Sequence, residues 1–245
     1  MIPILWLVSG ITYAQDRSDN QWKFLVEPYI MFPFMNGSTG IGNLPDVSVD
    51  ASASDIFSNL SIGAMLYAEA YTPTWAIGSD IIYINLKEYV KTGVLITAGS
   101  VQAKQFAWEV SGLRRLSPWL EVGIGGRLNS LSADIDLTIS RPNETNTRSG
   151  GTTETWFDPI LIARVKNPSG EKFLYQFRGD LGGLGIGSQF TYQIQAYVGY
   201  RFSDLFQMTA GYRLISIDYE KGANENRFLY DVDTSGPVIR FGFNL

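Results

Sequence analysis

Apolar and polar positions alternate without a break over Gln189–Phe202. Phe190, Tyr192, Ile194, Ala196, Val198, Tyr200 and Phe202 share one parity, and Gln189, Thr191, Gln193, Gln195, Gly199 and Arg201 share the other. A strand repeats every two residues, so the segment has one apolar and one polar face. Its 14 residues exceed the roughly 9–11 that a tilted strand needs to cross a bilayer. The apolar face begins and ends in aromatics, the side chains that favour a membrane–water interface.

Strand periodicity recurs in ten segments: Trp22–Met35, Ser61–Tyr71, Trp75–Leu86, Val101–Ser111, Trp119–Leu131, Trp156–Lys166, Phe173–Asp180, Gln189–Phe202, Phe206–Tyr219 and Pro237–Leu245. Val101–Ser111 and Trp156–Lys166 are the least regular, the latter because Pro159 has no amide proton for a ladder. Short connections (Thr72–Thr74, Gly112–Pro118, Asn167–Gly170, Ser203–Leu205) alternate with longer ones. Asn36–Leu60, Lys87–Ser100, Ala133–Thr155 and Glu220–Gly236 are long and polar, and Leu181–Ser188 is shorter and glycine-rich. A soluble sandwich has no reason to sort its loops by length, whereas a bacterial outer-membrane barrel pairs short periplasmic turns with longer outside loops. The expectation is an all-β fold: one closed antiparallel transmembrane β-barrel of ten strands, or eight with two outer hairpins. Both termini fall on the periplasmic side. Ala53–Leu60 reads as a helical turn in the first long loop, capped by Ser54 or Asp55.

The final strand, GPVIRFGFNL, turns Ile239, Phe241, Phe243 and Leu245 outward and Arg240 and Asn244 inward. Here the chain resembles bacterial outer-membrane barrels, whose last strand carries alternating apolar residues and usually ends in an aromatic; this one ends in Leu245. The stretches RGDLGGLGIGSQFTYQIQAYVGYRF, AGYRLISIDYEKG and FLYDVDTSGP resemble small outer-membrane proteins loosely grouped with the outer-membrane protein A-like barrels. The resemblance covers the last third of the chain best. It implies the fold and the outer membrane of a Gram-negative bacterium, and it carries over no functional residue.

Composition narrows the chemistry. No run reaches the roughly 18 apolar residues of a spanning helix, so a chain that crosses a membrane must do so as a closed barrel. Net charge is −5 and the isoelectric point about 4.8, which gives no footing for nucleic acid. Cysteine and histidine are both absent. These zeros remove thiolate sites and disulfides together with the usual general base and commonest transition-metal ligand. At the amino terminus an apolar run from Ile2 to Ile11 leads to Thr12-Tyr13-Ala14, the pattern of a secretory signal cut after Ala14. Its first cation is only Arg17, and a buried first strand is the competing reading. Residues 1–14 are thus assigned as a signal peptide and 15–245 as the barrel.

Sorting each strand by the parity that faces away from lipid gives the candidate site. Glu27, Glu69, Asp80, Glu109 and Glu121 point into the lumen from the first five strands. Arg164, Arg178, Arg201, Arg213 and Arg240 do so from the last five, with Arg127, Asp158 and Asp180 near the middle. Closure brings early and late strands face to face, so acids and arginines meet as an interior charge network. Arginine suits this because its planar fork stays charged and grips carboxylate bidentately. The same partners hold carboxyls ionised and make them poor general acids. No catalytic, cofactor or metal site is expected. The aspartates of the long loops, such as Asp231 and Asp233, match no complete calcium loop. Gly182, Gly183, Gly185 and Gly187 lack the lysine and helix of a phosphate cradle. Lumen tyrosines Tyr67 and Tyr197 suit either of two roles. One is a monomeric barrel with a salt-bridged lumen and a structural or surface-interaction role, its partner being the lipid bilayer. The other is a porin-like narrow channel or carrier for a small solute.

Overall fold

A computed structural model describes residues 21–89, 96–141, 144–168 and 170–245; the expected signal peptide lies outside them. The strands are β1 (Lys23–Met31), β2 (Phe34–Ile41), β3 (Val47–Ala51), β4 (Leu60–Tyr71), β5 (Trp75–Tyr89), β6 (Ile96–Arg115) and β7 (Leu120–Arg141). They continue with β8 (Glu144–Lys166), β9 (Phe173–Gly182), β10 (Phe190–Arg201), β11 (Phe206–Lys221) and β12 (Phe228–Asn244), and one short helix, α1 (Ala53–Ser58), lies between β3 and β4. Neighbours pair antiparallel in sequence order from β4 to β12, and β1 closes the circle by pairing with both β4 and β12. The result is a ten-stave barrel of outer-membrane type, because β1 and β2 form one stave. Both pair with β12, β1 from Leu25↔Asn244 to Met31↔Val238 and β2 from Phe34↔Ser235 to Ile41↔Phe228. The break between them is Phe32-Pro33: Phe32 still donates to the Pro237 carbonyl (2.9 Å), while Pro33 has no proton to give. The eight-stave alternative is excluded by this topology.

The parity of the sequence is the parity of the wall. On β10, Phe190, Ile194, Val198 and Tyr200 are exposed, while Thr191, Gln193, Gln195 and Tyr197 are buried inside. Trp22, Trp75, Trp119, Phe173 and Phe202 stand exposed around the short-turn end, and Trp108, Phe157 and Phe190 higher on the wall. This is the apolar band and aromatic girdle of a membrane barrel. On β7 and β8 the band stops above Leu128 and Phe157, where outward hydroxyls pair across the strands: Ser130 with Thr155 and Ser132 with Thr153, both 2.9 Å. Gly126 lies beneath the exposed Phe157 ring, whose atoms come within 2.4 Å of where its Cβ would be. Only a residue without that carbon lets the ring lie flat on the strand.

The connections expected to be long polar loops are largely strand. β7 and β8 run to Arg141 and Glu144, and β11 and β12 pair up to Lys221↔Phe228. Asn36–Leu60 holds the upper part of the first stave, β3 and α1. Above the bilayer both faces of a hairpin meet water, so the apolar alternation disappears although the ladder continues. The helix at Ala53–Ser58 is capped by Ser52, two or three positions earlier than expected. Ser52 accepts from the Asp55 amide (3.3 Å) and Asp55 accepts from the Ser52 amide (2.9 Å), a reciprocal box.

Candidate functional site: the salt-bridged lumen

Inward side chains fill the barrel in layers. Toward the short-turn end, Arg164 on β8 reaches Glu121 on the adjacent β7 (2.5 Å) and crosses the lumen to Glu69 on β4. Lys166 lies 3.3 Å from Glu69 and 3.5 Å from Glu121, and Arg115 joins Glu121 at 2.8 Å. Tyr67 donates to Glu69 (2.5 Å). In a second layer Glu109 and Asp180 face Arg127 and Arg178. Arg127 spans both acids at 2.8 Å, and Arg178 lies 3.2 Å from Asp180 and also pairs with Glu109 across the barrel. Gln193 donates to the second Asp180 oxygen (2.8 Å). Arg213 reaches across to Asp80 (3.0 Å), and its guanidinium also donates to Gln193 and Tyr29, both 2.8 Å. Arg240 pairs with Glu27 (3.3 Å) inside a tyrosine cage. Its guanidinium carbon is 4.1 Å from the Tyr197 ring centre and 5.3 Å from those of Tyr29 and Tyr67.

Eleven of the thirteen residues singled out in the sequence stand in these pairs. Two do not. Asp158 has no cation within reach among the described residues. It accepts instead from the Ser188 amide (2.6 Å), the Ser188 hydroxyl, Asn129 and Trp156 (each 3.0 Å), tying down the Gly183–Ser188 loop. That loop needs left-handed backbone at Gly183, Leu184 and Gly185, so the glycine run serves a tight turn. Arg201 is only half-buried, and its Nε has no partner among the described residues; parity put it inside, but its height puts it at the open end. Sequence reasoning passed over Arg115, Lys166, Gln193 and Gln207, which donates to Glu27 at 3.1 Å. All share the inward parity that marked the others. Glutamine was overlooked because it is uncharged, and Lys166 because it ends its strand.

The network has six carboxylates against seven cations, and apart from Arg115 and Lys166 these groups are almost wholly buried. The charges of the network are thus nearly balanced within it. Above the charges the bore holds an apolar layer: Trp156 stacks on Tyr219 with centroids 4.1 Å apart, beside Tyr230 and Val232. Below them a recess of about 90 Å³ opens between Tyr71, Arg201 and Lys166 and ends on Tyr67, Glu69 and Arg164. Among the described residues no cluster of His, Cys, Asp and Glu suits a metal ion.

Neither a protein-family model nor a curated protein matches the sequence. Among solved structures, the chain is similar to the CymD monoaromatic hydrocarbon channel, with 10% identity over 91% of this chain and 87% of that one and a TM-score of 0.37. It is also similar to Ail, the attachment invasion locus protein of Yersinia pestis (7% identity, 91% and 98% covered, TM-score 0.35). The toluene transporter TodX of Pseudomonas putida is similar at 8% identity, 91% and 90% coverage and a TM-score of 0.35. All are barrels, and none bears on the residues of this lumen.

Proposed function

We propose that this outer-membrane barrel is a closed, monomeric scaffold that presents its extended hairpins at the bacterial surface to meet other molecules, rather than a route through the membrane. The observation that carries the reading is the cross-lumen pairing of Arg164 with Glu69, Arg178 with Glu109 and Arg213 with Asp80. Each pair joins staves three or four apart in the wall, and a passing solute would have to break several buried pairs at once, at roughly 3–5 kcal/mol for each uncompensated charge. The aromatic layer around Trp156 and Tyr219 supports it from the other end.

The presenting surface is built from β6, β7 and β8. They are 20, 22 and 23 residues long, about twice the roughly 9–11 a bilayer requires. A ladder that continues past the membrane keeps its backbone paired and gives a rigid sheet where loops would give a mobile surface. The test is single-channel recording of the purified barrel in a planar bilayer. The expected trace is silent at ordinary voltages; steady, reproducible conductance from the unmodified protein would overturn the closed reading and favour the channel.

A further inference from the structure

We infer that the wall between β1 and β4 holds a lateral site for a lipid acyl chain, entered from the bilayer and shut off from the charged lumen. The two staves part at this point. Their ladder ends at Pro28↔Leu66, yet β4 runs on to Leu60 with only β5 as partner, while β1 follows β12 to Met31 and breaks at Pro33. Ile62 lies nine residues above Tyr71 on β4, so the gap falls within the height of a membrane-crossing strand. Irregular or open backbone is tolerated at that depth only where protein covers it or it lines a cavity. Both conditions are met. α1 folds over the gap with Ile56 buried in it and Phe57 against Phe32, centroids 5.5 Å apart. Beneath the helix lies a cavity of about 200 Å³, bounded by Met31 and Pro33 on one side and Ala64 and Met65 on the other.

The lining selects the occupant. It contains no charged residue, and its one polar side-chain group, the Tyr29 hydroxyl, is turned away to Asp80 (2.7 Å) and Arg213 (2.8 Å). That hydroxyl network is also the inner wall, so a guest from lipid meets apolar surface and then a closed polar layer. The cavity exceeds the roughly 150 Å³ of a dry apolar cavity that takes up benzene. Water has too few polar partners there, and an empty cavity forfeits the dispersion contacts of everything around it. The bilayer supplies hydrocarbon chains at the mouth, beside the exposed Ile30 and Leu66. Since lipid is itself apolar, the preference comes from filling a shaped void rather than from escaping water, and it is modest.

The test is photolabelling of the full chain in phosphatidylcholine vesicles containing a phosphatidylcholine with a diazirine in its acyl chain. Labelled sites are mapped by peptide mass spectrometry. The expected result is labelling of Tyr29–Pro33 and Ile56–Met65 about fivefold above Ile194–Val198, a plain lipid-facing stretch, which corresponds to a preference of roughly 1 kcal/mol. Gly63 borders the cavity, and the nearest atoms to a Cβ there would be Leu60 side-chain carbons at 3.5–3.9 Å, ordinary van der Waals contact. Gly63→Phe should therefore fill the void and bring labelling down to that of Ile194–Val198; Gly63→Leu serves if the larger side chain prevents folding. Even labelling around the barrel of the unmodified protein overturns the inference. So does enrichment that persists in a folded Gly63 variant.

Discussion

Arg213→Met tests the lumen cleanly, because Arg213 and Asp80 form salt bridges only with each other among the described residues. Their side chains are 3% and 2% exposed and 3.0 Å apart. Arg213 is the only cation in salt-bridge reach of Asp80 among the described residues, whereas Glu109 has two arginines and Glu69 has Arg164 and Lys166. Without Arg213 the Asp80 carboxylate keeps one donor, the Tyr29 hydroxyl at 2.7 Å, and Gln193 loses a 2.8 Å donor. Stranding one charge of a buried pair costs about 3–5 kcal/mol. A void of about 30 Å³ beside both residues has room for about two waters at about 10–15 Å³ each, and the shortened side chain enlarges it. Hydration of the stranded carboxylate lowers the expected loss to about 2–4 kcal/mol. The assay is equilibrium urea unfolding in detergent micelles, followed by tryptophan fluorescence with heat-modifiable gel migration as a check on folding. Adding Asp80→Leu to Arg213→Met removes the stranded charge and should recover most of the loss, since a buried pair replaced by apolar residues is often neutral. Lys221→Ala, which breaks a pair whose lysine side chain is 62% exposed, should change stability by at most about 1 kcal/mol. The reasoning fails if Arg213→Met costs no more than Lys221→Ala, or if the Asp80 and Arg213 losses simply add.

Three further outcomes follow from particular contacts. Asp158→Ala strands the Ser188 amide and Asn129, while Trp156 keeps the Ser188 hydroxyl; it should destabilise the barrel by about 1.5–3 kcal/mol, the range for hydrogen bonds to a charged group, and speed amide exchange across Gly183–Ser188, with unchanged exchange counting against the anchoring role. The two hydrogen bonds from Ser52 hold the Asp55 carboxyl below its ordinary value of 3.8, so its cap on α1 is complete at neutral pH and lost as pH falls through the lowered value. Proteolysis at Ser52–Asn59 should rise on acidification in the native protein and be insensitive to pH in Asp55→Asn. Proteinase added outside intact cells should cut at the exposed turn Ala223–Asn226 and spare Thr72–Thr74; the opposite pattern would mean that the hairpins face the periplasm.

The parity of each spanning strand was legible in the sequence because a wall with lipid on one side and a filled bore on the other forces a two-residue repeat. That one periodicity located the staves, their order and the inward set from Glu27 to Arg240. It was blind wherever both faces of a strand meet the same medium. The outer half of β8 reads as polar loop for this reason, and the inward Gln193 carries no sign that it links two charge clusters.

What the sequence determined by itself was therefore which side chains face in. Tertiary structure decided which of them meet, since partners such as Arg164 and Glu69 are 95 residues apart and their pairing depends on stagger and closure, which no local pattern encodes. Closure also separated Arg201 from its fellows by height alone and gave Asp158 a loop to hold in place of an arginine. It turned Pro33 from one residue within an apparent strand into the break between β1 and β2. A strand's faces follow from its own backbone, whereas its level in the wall and its opposite number follow only from how all ten staves close together.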